Sequence, residues 1–260
     1  RSGRSSYRTA TIEKDGNVLA TLIYGNAATI WRINLGWSRR KNKNVHGFIL
    51  DTERGYWAAR RELVEAGEDE NDPLSAKTMR VIPYVEDRKN CLVVQPEEEL
   101  SEVQLASLQA ALKLAIQVVY QLEDNELSVE PLPDRSNRKL FFLYEAAEGG
   151  AGVLRRLIDD HKAMLNVARQ ALLLCHFDPD TGEDLRRGPK SKEDCEAACY
   201  DCMMNYSNQP DHPLLDRHTI RNTLLDFASS KIMISPVETS RVAHYEALKR
   251  QAGSELEKEW

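Results

Sequence analysis

Four cysteines in the second half of the chain constrain its fold more than any other feature. Cys175 closes a long apolar run, and Cys195, Cys199 and Cys202 follow as C-x3-C-x2-C. Tetrahedral Zn²⁺ is held by such sets, because a short turn aims two thiolates at one point while the remaining ligands arrive from a distant segment. The spacing therefore predicts a structural zinc site formed by Cys175, Cys195, Cys199 and Cys202. His176 is the alternative fourth donor, although four cysteines complete the shell without it. Between the helix end and the cluster, His176 to Asp184 is rich in Asp and Gly but lacks the D-x-[DN]-x-[DN]-G-x5-E calcium register. It is expected as a turn-rich return.

Five cysteines in 260 residues are too few for a disulfide-stapled secreted fold, and a chain this long buries a core without staples. The fifth, Cys91, sits in a Lys-Asn-Cys-Leu-Val-Val strand and is expected to be an inert buried thiol. No apolar run reaches the roughly 18 residues of a membrane helix, and no charged-then-apolar leader opens the chain. A cytoplasmic protein with no membrane partner is expected. Because it starts at Arg1 in sheet-like sequence, the chain is also expected to be part of something larger.

The fold class that the patterns predict is α+β. Tyr7 to Glu13, Val18 to Tyr24, Ala28 to Asn34 and Gly47 to Asp51 are β-branched and aromatic runs separated by the turn signals Asp15-Gly16-Asn17 and Gly25-Asn26, an antiparallel meander. Further strands are expected at Thr78 to Val85 and Cys91 to Gln95, beyond an acidic loop at 65–73. Ser101-Glu102-Val103-Gln104 is a capping box. It opens a helix with Leu105, Leu108, Leu112, Ala115, Val119 and Leu122 at 3,4 spacing, a core element. A strand, Lys139 to Glu145, precedes a glycine turn and one long helix, Val153 to Leu174. The expected divisions are a β-rich part (1–95), an α/β zinc-binding domain (96–235) and a helical tail (236–260). The whole reads as an antiparallel β-rich part packed with long helices and ending in a four-cysteine knuckle.

Net charge is −6, so the body as a whole is not a polyanion binder. Two local clusters suit phosphate contact and base stacking: Arg32, Arg39, Arg40, Lys41 and Lys43 with Trp31 and Trp37 interleaved, and Arg186, Arg187, Lys190 and Lys192. The nucleic-acid candidates are those basic residues and Trp37. In the bland reading both are solvated loops, since Glu183, Asp184, Glu193 and Asp194 offset the second cluster. Glu148-Gly149-Gly150-Ala151-Gly152 before a helix could cradle a phosphate. In the other reading the glycines permit a tight strand-to-helix turn, and Glu145 and Glu148 are either metal ligands or ordinary helix-entry acids favoured by the dipole.

Tyr144, Glu148 to Gly152, a helix ending in Cys175, Cys195-Glu-Ala-Ala-Cys199-Tyr-Asp-Cys202, Asn205 and Leu214-Leu215-Asp216-Arg217 recur in an order that resembles the MrfA-type zinc-binding domain. That domain lies at the C-terminal end of superfamily 2 DNA helicases and in related phage-defence proteins. The resemblance covers about residues 140–230. Upstream, Ala28 to Trp37 and Gly47-Phe48 resemble the region introducing this domain in helicase-like components of the DISARM and Druantia defence systems. It implies four cysteines on one zinc, a Leu-Asp-Arg segment starting the closing helix, and DNA beside an ATP-driven helicase motor. No phosphate loop or Asp-Glu box occurs, so the chain alone is not expected to hydrolyse ATP, and no catalytic residue is assigned. Two rivals stand beside this reading. One is a protein-protein assembly module of a defence complex, docking through the knuckle and the tail helix. The other is a nuclease-like domain on Asp134 and Glu145, which has Ala147 where a lysine is needed.

Overall fold

Alternation of apolar and polar residues does build a sheet, and the inward set is easy to trace: Ala10 and Ile12, then Ala20, Leu22 and Tyr24, Leu92 and Val94, and Phe141 and Leu143 are all buried. The computed structural model describes residues 6–37, 40–42, 44–52, 55–57, 78–147, 150–189, 191–235 and 239–240. The acidic loop at 65–73 and the tail from 241 lie outside them.

The strands are β1 (Ser6–Lys14), β2 (Asn17–Ile33), β3 (Phe48–Asp51), β4 (Tyr56–Trp57), β5 (Thr78–Val81), β6 (Tyr84–Pro96), β7 (Leu127–Asp134), β8 (Asn137–Glu145), β9 (Lys231–Ile234) and β10 (Thr239–Ser240). The main sheet runs β10-β1-β2-β6-β8-β7, with β9 also on β1; a second sheet runs β4-β3-β5. Two compact units result, Arg1–Ala28 with Lys89–Trp260, and Thr29–Arg88. The expected boundary near residue 95 is not where they divide, because β6 and β8 pair from Cys91 to Val94 within the first unit.

Two expected strands at 18–24 and 28–34 are one. Gly25-Asn26 does not turn, and the chain runs on with Ala27 at φ 49 donating its amide to Asn90 Oδ1 at 3.0 Å. Gly25 is packed too closely for a side chain, since a Cβ there would lie 3.0 Å from Cys91 Sγ. Conversely, Pro83 splits the expected 78–85 strand into β5 and β6.

The helices are α1 (Glu102–Tyr120), α2 (Val153–Asp159), α3 (Ala163–Leu174) and α4 (Arg217–Ala228), with 3-10 turns over Tyr206–Leu214. The capping box at Ser101 is formed: its hydroxyl accepts from the Gln104 amide and the Gln104 side chain accepts from the Ser101 amide. α1 packs on β7 and β8 and against α3 and α4. Leu108, Leu112 and Ile116 are buried to 1% exposure or less, each contributing about 1.5–3 kcal/mol. The single helix expected over 153–174 is broken: Asp160 Oδ1 accepts from the Lys162 amide, and the His161 carbonyl accepts from Ile232 of β9.

Candidate metal centre

The end of α3 decides which donor reaches the knuckle. Phe177 N–H bonds to the Leu172 carbonyl and His176 N–H to the Leu173 carbonyl, a Schellman termination with His176 at the left-handed position, φ 61. Glycine is the usual residue there, and a side-chain-bearing residue costs about 1–2 kcal/mol. What that strain achieves is visible: Nε2 of His176 comes to 3.3 Å from Cys199 Sγ. The donor atoms of His176, Cys195, Cys199 and Cys202 all lie within 4.8 Å of one another. Cys175, the expected fourth ligand, is outside this group. Its amide still bonds back to Ala171, so it follows the helix into the core, where it is fully buried.

Each ligand has a local reason for its place. Cys195 N–H bonds to the Arg186 carbonyl, which sets the return from the Asp178 loop. Cys199 and Cys202 share a tight turn in which the Cys199 amide donates to Cys202 Sγ at 3.0 Å. Cys195 Sγ and Cys202 Sγ are 3.9 Å apart. With Zn–S near 2.3 Å, a tetrahedron has S···S edges of about 3.8 Å, so the set fits tetrahedral zinc closely. Gly188 lies against the imidazole, where a Cβ would come within 3.3 Å of Cε1. Burial keeps the His176 ring toward its neutral form, the form that ligates.

Burial pushes the Cys195 thiol up to about 11 and Cys175 to about 12, and it raises Cys202 as well. Zinc must therefore displace protons to bind, and bound zinc is what keeps thiolates in so dry a place. All five cysteines are free thiols. Cys91, pushed up to about 11 by burial, is the inert thiol expected.

Arg217 holds the two halves of the site together. Its fully buried guanidinium makes five hydrogen bonds: to the Cys175 carbonyl, to the Cys195 carbonyl from two nitrogens, and to both oxygens of Asp184 at 2.7 and 3.0 Å. It also lies 4.9 Å over the Phe177 ring. Its own amide bonds to the Ala197 carbonyl. Asp216 caps α4 by accepting from the His218 amide, and the Asp216 amide donates to Ser107 Oγ of α1. A single arginine in a Leu-Asp-Arg segment gives no sequence signal of such a role.

The Asp178 loop is a turn. The Asp178 carboxylate accepts from the amides of Asp180 and Thr181 and from the Thr181 hydroxyl. Those bonds hold it below the usual carboxylate range.

The start of α2 is not open for phosphate, and Glu148 and Gly149 lie outside the described residues. Glu145, fully buried at the end of β8, puts Oε1 2.9 Å from the Leu154 amide and Oε2 3.1 Å from that of Gly152, with Asn90 Nδ2 also donating. Its carboxylate sits where a bound anion would meet the start of α2, supporting the helix-dipole reading. The nuclease pattern is separated by register: Asp134 pairs with Asn137 at the hairpin turn, and Glu145 with Leu127 at its far end, about 25 Å away by strand rise.

Of the basic candidates, Arg32, Trp37, Lys41, Arg186, Arg187 and Lys192 are exposed. Arg40 is committed to structure instead, donating to the Val45 and Gly47 carbonyls and closing the 36–47 loop. Arg187 donates to the Lys192 carbonyl and lies 3.9 Å from Asp194. Arg39, Lys43 and Lys190 lie outside the described residues.

Comparison with known proteins agrees with the metal. The profile of the MrfA Zn-binding domain family matches residues 108–203, so the chain carries an MrfA-type zinc-binding domain and its cofactor is zinc. Among solved structures, the crystal structure of the DUF1998 helicase MrfA bound to DNA is similar over 85% of this chain and 25% of that one, at 13% identity and a TM-score of 0.44. The chain thus spans about a quarter of that protein's length. No curated protein matches it.

Proposed function

We propose that this chain, with its MrfA-type zinc-binding domain, is the accessory module of a larger ATP-dependent DNA-processing protein of the superfamily 2 helicase kind. When bound, zinc supplies a rigid four-way link and no reactive position, since the four donors complete its shell. His176 at the end of α3, the Cys195 to Cys202 knuckle and the α4 start gripped by Arg217 are then fixed as one surface beside the motor. DNA is contacted through side chains free to reach it: Trp37 and Lys41 on one unit, and Arg186 and Lys192 beside the knuckle. The observation that carries this reading is the closed donor set within the family-matched stretch. On the upstream resemblance, the parent works in anti-phage defence.

The test joins metal analysis to salt-dependent gel shifts on the purified chain. One zinc per chain is expected. Lys41→Glu with Trp37→Ala should weaken DNA binding and flatten its dependence on salt. A protein assembly module predicts no DNA binding to lose, and a metal-free folded chain would overturn the proposal.

A further inference from the structure

A cleft of about 300 Å³ lies between α1, β7 and the 3-10 turns that follow the knuckle. The face of α1 that lines it carries Gln109 and Lys113, with Gln117 one turn further on, and all three are buried. Two of the three are satisfied. Lys113 Nζ donates to Asp124 at 3.0 Å, and Gln117 Nε2 donates to the Glu123 carbonyl at 3.3 Å. Gln109, 7% exposed and part of the cleft wall, has no hydrogen-bond partner among the described residues. Its amide atoms are open to water in the cleft, a donor and an acceptor available to a ligand. Ala106 and Ala110, its small neighbours on the wall, leave the room.

The charges around it narrow the chemistry. Lys113 is paired with Asp124, and Asp211 with Arg138 at 2.5 Å. Only Arg135 and Glu130 remain, opposite in sign, so the lining is close to neutral and suits an uncharged, planar, hydrogen-bonding group better than a free phosphate. A side-chain amide offers adjacent donors and acceptor, the complement of a base edge. Between Asn205 and Ser207, which line the cleft, stands Tyr206, 87% exposed and the most exposed aromatic ring described. Tyr206 is not itself part of the lining, and an exposed aromatic ring adjacent in sequence to cleft residues suits base stacking. The volume is at the small end of ligand sites, enough for one base and too small for a duplex.

We propose that this cleft takes one unpaired nucleobase of a single-stranded nucleic acid, with Gln109 reading the base edge and Tyr206 stacking on its neighbour. The proposal rests on the DNA-contact reading above and adds the form of DNA and the site. The test uses the zinc-loaded chain and fluorescence anisotropy with a 12-nucleotide adenine strand and a strand of equal length and charge carrying abasic sites at its centre. Wild-type protein should prefer the base-bearing strand by about tenfold. Gln109→Leu and Tyr206→Ala should each bring that preference below about threefold while leaving the salt dependence unchanged. Gln109→Leu should change the melting temperature little, because the amide it removes makes no hydrogen bond to the described residues. Tyr206→Ala, at an exposed position, carries the test if the leucine variant fails to fold. Equal binding of the two strands by wild-type protein would sink the cleft proposal and leave DNA contact standing. Binding of neither would overturn both.

Discussion

Arg217→Ala is the most informative single substitution in this chain. It removes five hydrogen bonds, two of them to Asp184 and three to the backbone carbonyls of Cys175 and Cys195. Asp184 keeps 35% side-chain exposure, so it can be rehydrated and its loss is discounted. The two carbonyls cannot, and each left unpaired costs about 1–2 kcal/mol. Loss of the stacked Phe177 contact adds about 1 kcal/mol. The sum, about 3–5 kcal/mol, should lower the melting temperature by roughly 10 °C for a unit of this size. Zinc affinity, measured by competition with a chromophoric chelator, should fall at least tenfold, because the ligand-bearing segments on either side of the metal are no longer tied. Arg217→Lys should restore little, since one ammonium cannot span three acceptor groups. A variant that melts within about 1 kcal/mol of wild type and holds zinc as tightly would refute the clamp.

Three further outcomes are expected. His176→Ala should lose stoichiometric zinc, whereas Cys175→Ala should keep it and lose only about 1–2 kcal/mol of packing; metal analysis of both variants reads this directly, and the reverse result would restore the four-cysteine site. For the wild type, zinc affinity should rise with pH between 6 and 8, because thiols raised by burial are protonated throughout that window and each must release a proton on binding. At the glycine turn, Gly150→Ala should destabilise the fold without any effect of added phosphate, since its Cβ would lie 1.9 Å from Glu145 Oε2 at a backbone φ of 69; phosphate protection in a thermal melt would contradict the view that Glu145 fills that position.

How far the sequence announces this structure depends on whether the deciding physics is local. The capping box at Ser101 and the α1 stripe are local patterns, and both are formed as expected. Strand β7 carries Pro131 and Pro133, which read as breakers, and it is tolerated because β7 ends the strand order of its sheet. Gly25-Asn26 reads as a turn because only neighbours distant in sequence, Cys91 and Asn90, hold it extended. Three of the four clustered donors follow from spacing. The fourth turns on a single left-handed residue at the end of α3, which directs the side chain of His176 to the knuckle while Cys175 continues into the core. Spacing cannot distinguish two adjacent donors that leave a helix on opposite sides. Arg40 shows the same limit for charge, since a basic residue in a basic loop reads as a phosphate contact until its carbonyl partners are known.

Arg217 also fixes where the protein can be cut. The family-matched stretch stops at residue 203, yet the guanidinium that satisfies the carbonyls of Cys175 and Cys195 lies fourteen positions further on, and the Ser107 hydroxyl that receives the Asp216 amide binds that later segment to α1. An expression fragment trimmed to the matched stretch would carry every zinc ligand and still lack the side chain that seats them. The smallest piece able to hold the metal natively therefore extends through α4, and the outline of relatedness is narrower than the outline of folding.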